Sequence, residues 1–163
     1  MVTRTWPEPV ERVAGFLRKT ATEARIEEFP EGTPTAQDAA KAVGCELAHI
    51  VKSLVFDCDG RSMLVLVPGD RRADAAKIAG AVGAVRARVA GAEQVEAATG
   101  FQPGGVAPFP TRAIERVLID RTLLVHDRVW VGAGTDRHLA GIAPSDLVRV
   151  TRAEPIDAVE SRN

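Results

Sequence analysis

The chain has little of what marks several protein classes. It holds two cysteines in 163 residues, Cys45 and Cys58. They are too few and too far apart for a Cys-rich zinc site or a secreted disulfide framework, and they read as free thiols of a reducing compartment. No stretch approaches the ~20 apolar residues of a spanning helix. Arg4, Trp6, Pro7, Glu8 and Pro9 stand where a secretory signal would need an apolar run, so a cytoplasmic protein with no membrane contact is expected. Charge of one sign is also lacking. With 21 basic and 22 acidic side chains the formal net charge is -1, so no global field draws the chain onto nucleic acid, and any such contact must be local. His49, His126 and His138 have no ligand spacing among them, which with the cysteine count predicts no metal and no other cofactor. There is no GxSxG elbow, HExxH pair, P-loop lysine or dinucleotide GxGxxG, and no Ser-His-Asp or Cys-His constellation that would demand an acyl-enzyme.

What is present is an ordinary globular composition, 45% hydrophobic and 26% charged, at a length that suits one domain with a real core. Apolar residues at Val10, Val13, Ala14, Leu17, Ala21 and Ala24 predict a surface helix to about Glu23. A short strand follows at Arg25 to Phe29. Thr35, three residues ahead of Asp38, is an N-cap signature for a second helix ended by Gly44. Ile50 to Phe56 and Ser62 to Val67 read as a hairpin across the connection Asp57-Cys58-Asp59-Gly60-Arg61. Helices are expected at Ala73 to Val82 and Ala92 to Ala98, with a half-buried strand at Val85 to Val89 between them. Further strands are expected at Arg116 to Ile119, Val129 to Val131 and Leu139 to Ile142, then a helical turn at Ser145 to Leu147 and a last strand at Val148 to Val150. Short helices followed by a run of strands predict an α+β (mixed α/β) domain with a mixed sheet.

Two segments stand out chemically. Lys52 shares a strand face with Leu54 and Phe56, so it is either a strand-end lysine reaching solvent or a fixed, partly desolvated cation that binds a phosphate or polarises a carbonyl. Phe101 to Arg112 carries three prolines and the pair Gly104-Gly105, which excludes helix and interior strand. It is an ordinary loop or a backbone cradle whose N–H groups suit an oxyanion or phosphate. Gly132-Ala133-Gly134 reads as a hairpin turn, and Asp127 beside His126 as turn chemistry. Arg71, Arg72, Arg86, Arg88 and Arg112 are either a local basic rim or a solvated surface.

Thr33-Pro34-Thr35-Ala36, Ile50-Val51-Lys52-Ser53-Leu54-Val55, Val67-Pro68-Gly69-Asp70-Arg71-Arg72, Gly100 through Phe109, and Ile119-Asp120-Arg121-Thr122 occur in this order. Together they resemble the YbaK-like and prolyl-tRNA synthetase-associated editing domains, which deacylate mischarged tRNA. The resemblance runs from about Val10 to Ala153, leaving residues 1–9 as an N-terminal extension and 154–163 as a C-terminal tail. It implies a single domain with a partly barrel-like sheet flanked by short helices. It implies a free-standing editing hydrolase that meets the acceptor end of an aminoacyl-tRNA, with prolyl-tRNA synthetase as a further partner. Lys52 matches the lysine expected to contact the 3′-terminal adenosine or its phosphate. Gly104, Gly105, Val106, Ala107 and Pro108 match the loop that holds the aminoacyl ester, and Thr33 a threonine at the pocket entrance. Ser53 follows the lysine as a substrate-contact candidate. Asp120 and His138 look like an aspartate and a histidine of the synthetase-inserted domain. The removed residue would be small, alanine or cysteine, with serine and threonine as further candidates. Two other readings are a tRNA- or synthetase-binding module of the same fold without turnover, and a hydrolase for another small ester or amide.

The missing ligand spacing predicts that a chelator leaves deacylation unchanged. Loss of activity on chelation, restored by one divalent ion, would count against it.

Overall fold

The computed structural model describes residues 5–162. Helix α1 (Glu8–Lys19) starts at the Pro9 turn and buries Val10, Val13, Ala14 and Leu17. It stops four residues short of the expected end, where Thr20 returns its hydroxyl to the Phe16 carbonyl. Strand β1 (Ala24–Glu28) follows. Helix α2 (Ala36–Val43) is capped as its sequence dictates: the Thr35 hydroxyl accepts from the Asp38 N–H, and Gly44 closes the helix in the left-handed region.

Strands β2 (Val51–Cys58) and β3 (Arg61–Pro68) form the hairpin. Its connection is tighter than the five residues expected, because Asp57 and Cys58 pair with Ser62 and Arg61, leaving Asp59-Gly60 as the turn. Then come α3 (Ala75–Val82), β4 (Ala87–Val89), α4 (Ala92–Thr99), β5 (Arg116–Asp120), β6 (Val129–Gly132), β7 (His138–Ile142), α5 (Pro144–Thr151) and β8 (Glu154–Ile156). Single-turn helices at Leu47–His49 and Arg121–Val125 precede β2 and β6.

The strands make two sheets, β1-β7-β6 and β4-β2-β3-β5-β8. The second is mixed: β2 is antiparallel to β3 and β4, while β5 is parallel to β3 and β8. Among the described residues a single bridge, Ile50 to Trp130, joins the sheets, so the expected partly barrel-like sheet is two sheets that do not close. Strand β3 is the centre. Met63 to Val67 are fully buried, with Leu64 and Leu66 packing toward α1 and β6–β7, and Met63, Val65 and Val67 toward α3 and the C-terminal segment. Burial on both faces is why this stretch reads as a continuous apolar run.

Three other expectations change. Val148 and Val150 belong to α5, not to a last strand; Pro144 opens the helix and Leu147 supplies its buried anchor, so two valines two residues apart sit on a helix flank. The strand expected from Val85 begins only at Ala87 and is scarcely buried, with Val89 64% exposed and Val85, ahead of it, 94% exposed. The segment expected as a tail is part of the fold: β8 extends the sheet, and Ala158 and Val159 are buried in the second core. Asp120 holds it there, accepting from the Ala158 N–H at 2.8 Å while also capping the following turn through the Thr122 N–H and hydroxyl. No helix among the described residues is long and apolar enough to cross a membrane.

Asp120→Ala leaves the buried Ala158 N–H unsatisfied, a loss of about 2–3 kcal/mol. The midpoint of thermal unfolding should fall by roughly 5–10 °C; an unchanged midpoint would remove Asp120 from this role.

Candidate functional site

A cleft follows from incomplete pairing of β2. Beyond Val55, whose carbonyl accepts from the Ala90 N–H, its outer edge is covered by β4. At the other end the Ile50–Trp130 bridge closes it. Between them, at Val51 to Leu54, no strand among the described residues lies on that edge, and a cavity of about 380 Å³ opens there. Lys52, Ser53, Thr33, Gly104 and Val106 line it together, with Ala36, Ala39 and Leu139 as an apolar wall. The Gly132 backbone completes it. Among the described residues no carboxylate and no imidazole lines this cavity.

The Pro68-Gly69-Asp70 turn prepares Lys52. A side chain at Gly69 would stand 2.8 Å from the Leu47 carbonyl oxygen, so only glycine lets the turn close against the 47–49 helix. The chain then brings the Arg71 carbonyl to the Lys52 ammonium, which donates to it at 2.6 Å. Burial pushes Lys52 below the ordinary lysine value; Asp70 opposes this and Arg72 adds to it. The ammonium is thus fixed and partly desolvated.

Across the cleft the glycine loop is laid backbone on backbone. A Cβ on Gly105 would stand 2.8 Å from the Gly134 carbonyl oxygen and the Thr135 Cα, and one on Gly134 would stand 2.8 Å from the Pro9 carbonyl. A Cβ on Gly132 would collide with the Val106 carbonyl oxygen. Main chain from α1, the β6–β7 turn and the loop is therefore stacked with no side chain between. Phe101, Ala107 and Phe109 are buried, Phe109 stacks on Phe16 at 5.1 Å, and Arg12 donates to the Gly100 carbonyl at 2.8 Å while lying over the Phe101 ring. Gly104, with φ +90°, has open space where a side chain would be and faces the cavity.

Of the residues singled out by sequence, Thr33, Lys52, Ser53, Gly104 and Val106 meet at one cavity. Thr33 is fixed by its N–H and hydroxyl, both donating to the Asp136 carbonyl. The Ser53 hydroxyl has no hydrogen-bond partner among the described residues, so a polar group entering the cavity can pair with it. Gly105, Ala107 and Pro108 are buried away from the cavity, and the Gly105 N–H donates to the Gln102 carbonyl. They shape the loop, and Gly104 alone of the paired glycines faces the cleft.

Asp120 lies outside the cavity, as the anchor described above. His138 is 2% exposed and points from the face of β7 opposite Leu139. Its Nδ1 pairs with the Thr135 hydroxyl at 2.6 Å and its Nε2 lies 3.2 Å from Glu28, with the Trp6 ring edge-on at 5.5 Å. It thus steadies Thr135, against which Gly105 rests.

The five arginines form no common rim. Arg86 and Arg88 sit with Asp57 and Asp59 at the far end of the β2–β3 hairpin, and Arg112 lies beside Gly100. Sequence reasoning missed Gly132 and Gly134 as supports of the loop, although the Gly-Ala-Gly triplet was the visible signal. Neither cysteine lines the cavity, and burial pushes both thiols up. Among the described residues no group of three or more His, Cys, Asp or Glu could hold a metal ion.

Gly104→Ala and Gly105→Ala should separate. The first places a methyl group in the cleft at a strained φ; the second collides with fixed backbone and should unfold at a clearly lower temperature. Comparable melting of Gly105→Ala and wild type would overturn the stacked arrangement.

The model of the aminoacyl-tRNA editing domain matches residues 30–150. A proline–tRNA ligase of Nitratidesulfovibrio vulgaris is 33% identical over 144 residues, covering 81% of this chain and 25% of the ligase, so the chain spans about a quarter of that relative's length. The Bacillus subtilis protein YwhH is 29% identical over 123 residues, covering 75% of this chain and 78% of YwhH. A crystal structure of a protein proposed to be a trans-editing enzyme for prolyl tRNA synthetase superposes with a TM-score of 0.90 at 36% identity, over 96% of this chain and 100% of that one. With Thr33, Lys52, Gly104 and Leu139 all inside the matched region, this chain belongs to the aminoacyl-tRNA editing domain family.

Proposed function

We propose that the protein is a free-standing hydrolase that removes a small amino acid, alanine or cysteine, from mischarged proline tRNA. The observation that carries this reading is the meeting of a fixed, partly desolvated Lys52 ammonium and the open Gly104 backbone in one cavity. The family membership and the similarity to proline–tRNA ligases support the substrate class. Prolyl-tRNA synthetase is the corresponding partner, and the cytoplasm the place of action.

In this reading Lys52 holds the 3′-terminal adenosine or its phosphate, and Gly104 lets the ester lie against main chain. Thr33 borders the entrance and Ser53 supplies a hydroxyl to the bound ester. Ala36, Ala39 and Leu139 face the amino-acid side chain. Water adds to the ester carbonyl carbon, the acyl carbon–oxygen bond to the ribose breaks, and a proton from the water ends on the ribose oxygen. Free amino acid and uncharged tRNA leave. Because no carboxylate or imidazole among the described residues lines the cavity, the neighbouring ribose hydroxyl is the group that orients and activates the water.

Lys52→Ala should lower single-turnover deacylation by roughly 10²-fold or more with the fold intact; a folded variant at the wild-type rate would sink the assignment. A terminal deoxyadenosine lacking the neighbouring hydroxyl should slow the chemical step by about 10² to 10⁴ at saturating enzyme. Equal rates for native and deoxy substrates would move the base onto the protein.

A further inference from the structure

Beside the cleft lies a second cavity, of about 240 Å³, between the turn that follows β3 and the 121–125 helix. The two are joined by one residue: the Arg71 carbonyl holds the Lys52 ammonium, while the Arg71 side chain lines the second cavity. Asp70 acts electrostatically on Lys52 on one side and on His126 on the other. Whatever Lys52 grips is therefore adjacent to this second space.

Its lining has an apolar, aromatic part and a cationic part. Pro68, Val125 and His126 form the first. His126 lies against His49 with ring centroids 4.0 Å apart and a 33° tilt, and Val125 is left 78% exposed beside the pair. Burial, followed by the neighbouring His49, holds His126 below the ordinary histidine value, with Glu46 and Asp70 opposing, which favours a flat, uncharged ring. The cationic part is Arg71 and Arg162. Asp70, the one carboxylate of the lining, is paired with Arg162 at 2.6 Å. Arg71 donates to the Glu160 backbone carbonyl, and no ion pair to a carboxylate is found for it among the described residues. One positive charge is left uncompensated next to an apolar aromatic platform.

That combination suits a nucleotide: planar bases stack on aromatic rings irrespective of sequence, and a guanidinium takes a phosphodiester. We infer that this cavity receives the nucleotide immediately 5′ of the terminal adenosine, its base against His126 and Val125 and its phosphate toward Arg71. The inference rests on the deacylase reading for the position of the terminal adenosine at Lys52. The second cavity gives the RNA its exit direction and lets a chain of net charge -1 bind an acceptor end through local contacts.

The test is equilibrium binding of AMP and of the dinucleotide CpA to the full chain, followed by NMR or calorimetry, in wild type, His126→Ala and Val125→Ser. CpA should bind wild type about tenfold tighter than AMP, the scale of one base stacked on an aromatic ring. His126→Ala should bind the two equally, Val125→Ser should shrink the difference, and AMP affinity should stay at the wild-type value in both. Val125 is a surface residue, so its substitution keeps the question open to measurement if His126→Ala folds poorly. Equal affinities of AMP and CpA for wild type would overturn the inference, as would a parallel loss for both ligands in His126→Ala. Turnover is read separately on alanyl esters of adenosine and of CpA. A binding advantage for CpA without hydrolysis of either ester would defeat the deacylase reading and leave the nucleotide site standing.

Discussion

The unpaired edge of β2 between Val51 and Leu54 is the constraint on which the site depends. A sheet edge with free main-chain groups is ordinarily covered by another strand or exposed to solvent. Here β4 covers one end and the bridge from Ile50 to Trp130 pins the other. Closing the remaining gap with a strand would complete a continuous sheet and erase the cavity. The glycine loop borders the gap through Gly104 and Val106. It rests on the β6–β7 turn, which rests in turn on the start of α1.

Charge placement in the cleft follows the same economy of means. One cation, Lys52, is oriented by a main-chain carbonyl and not by a carboxylate. A paired acid would neutralise it and compete with an anionic ligand, whereas a carbonyl dipole fixes its position and leaves its charge in place. Partial burial strengthens its field toward whatever enters. The fully buried acid of the neighbourhood, Asp120, does unrelated work, holding the C-terminal segment to the sheet.

Local signals were legible where local physics decides. Thr35 with Asp38, and Gly44, Gly83 and Gly100 after their helices, set element ends within one turn. The hairpin and the Pro/Gly loop were likewise readable, and Lys52 and Gly104, both singled out by sequence, line one cavity. What depends on distant partners was not. Val148 and Val150 read as a strand because two valines carry no period, and only Leu147 packing onto the core settles the helix. Residues 154–159 lack a pattern because a short edge strand and two buried residues give too little sequence to show one. Asp120 and His138 carry reactive side chains in matching motifs, yet backbone hydrogen bonding claims one and the Thr135 hydroxyl the other. Gly132 and Gly134 owe their importance to main chain more than twenty residues away in sequence.

The stack of Pro9, Gly134 and Gly105 backs, with peptide groups alone, the wall of the site that Gly104, Val106 and Gly132 form. A wall of this kind offers the same surface whatever side chains flank it, and it cannot be reshaped by substitution without being displaced. The opposite wall, Ala36, Ala39 and Leu139, is made of side chains carried on a helix face and a strand. There a methylene added or removed alters the volume of the cavity. The cleft thus has walls of two materials, one backed by main chain and the other made of side chains. Single substitutions on the side-chain wall can then change the shape of the cavity while the stacked main chain behind the other wall stays in place.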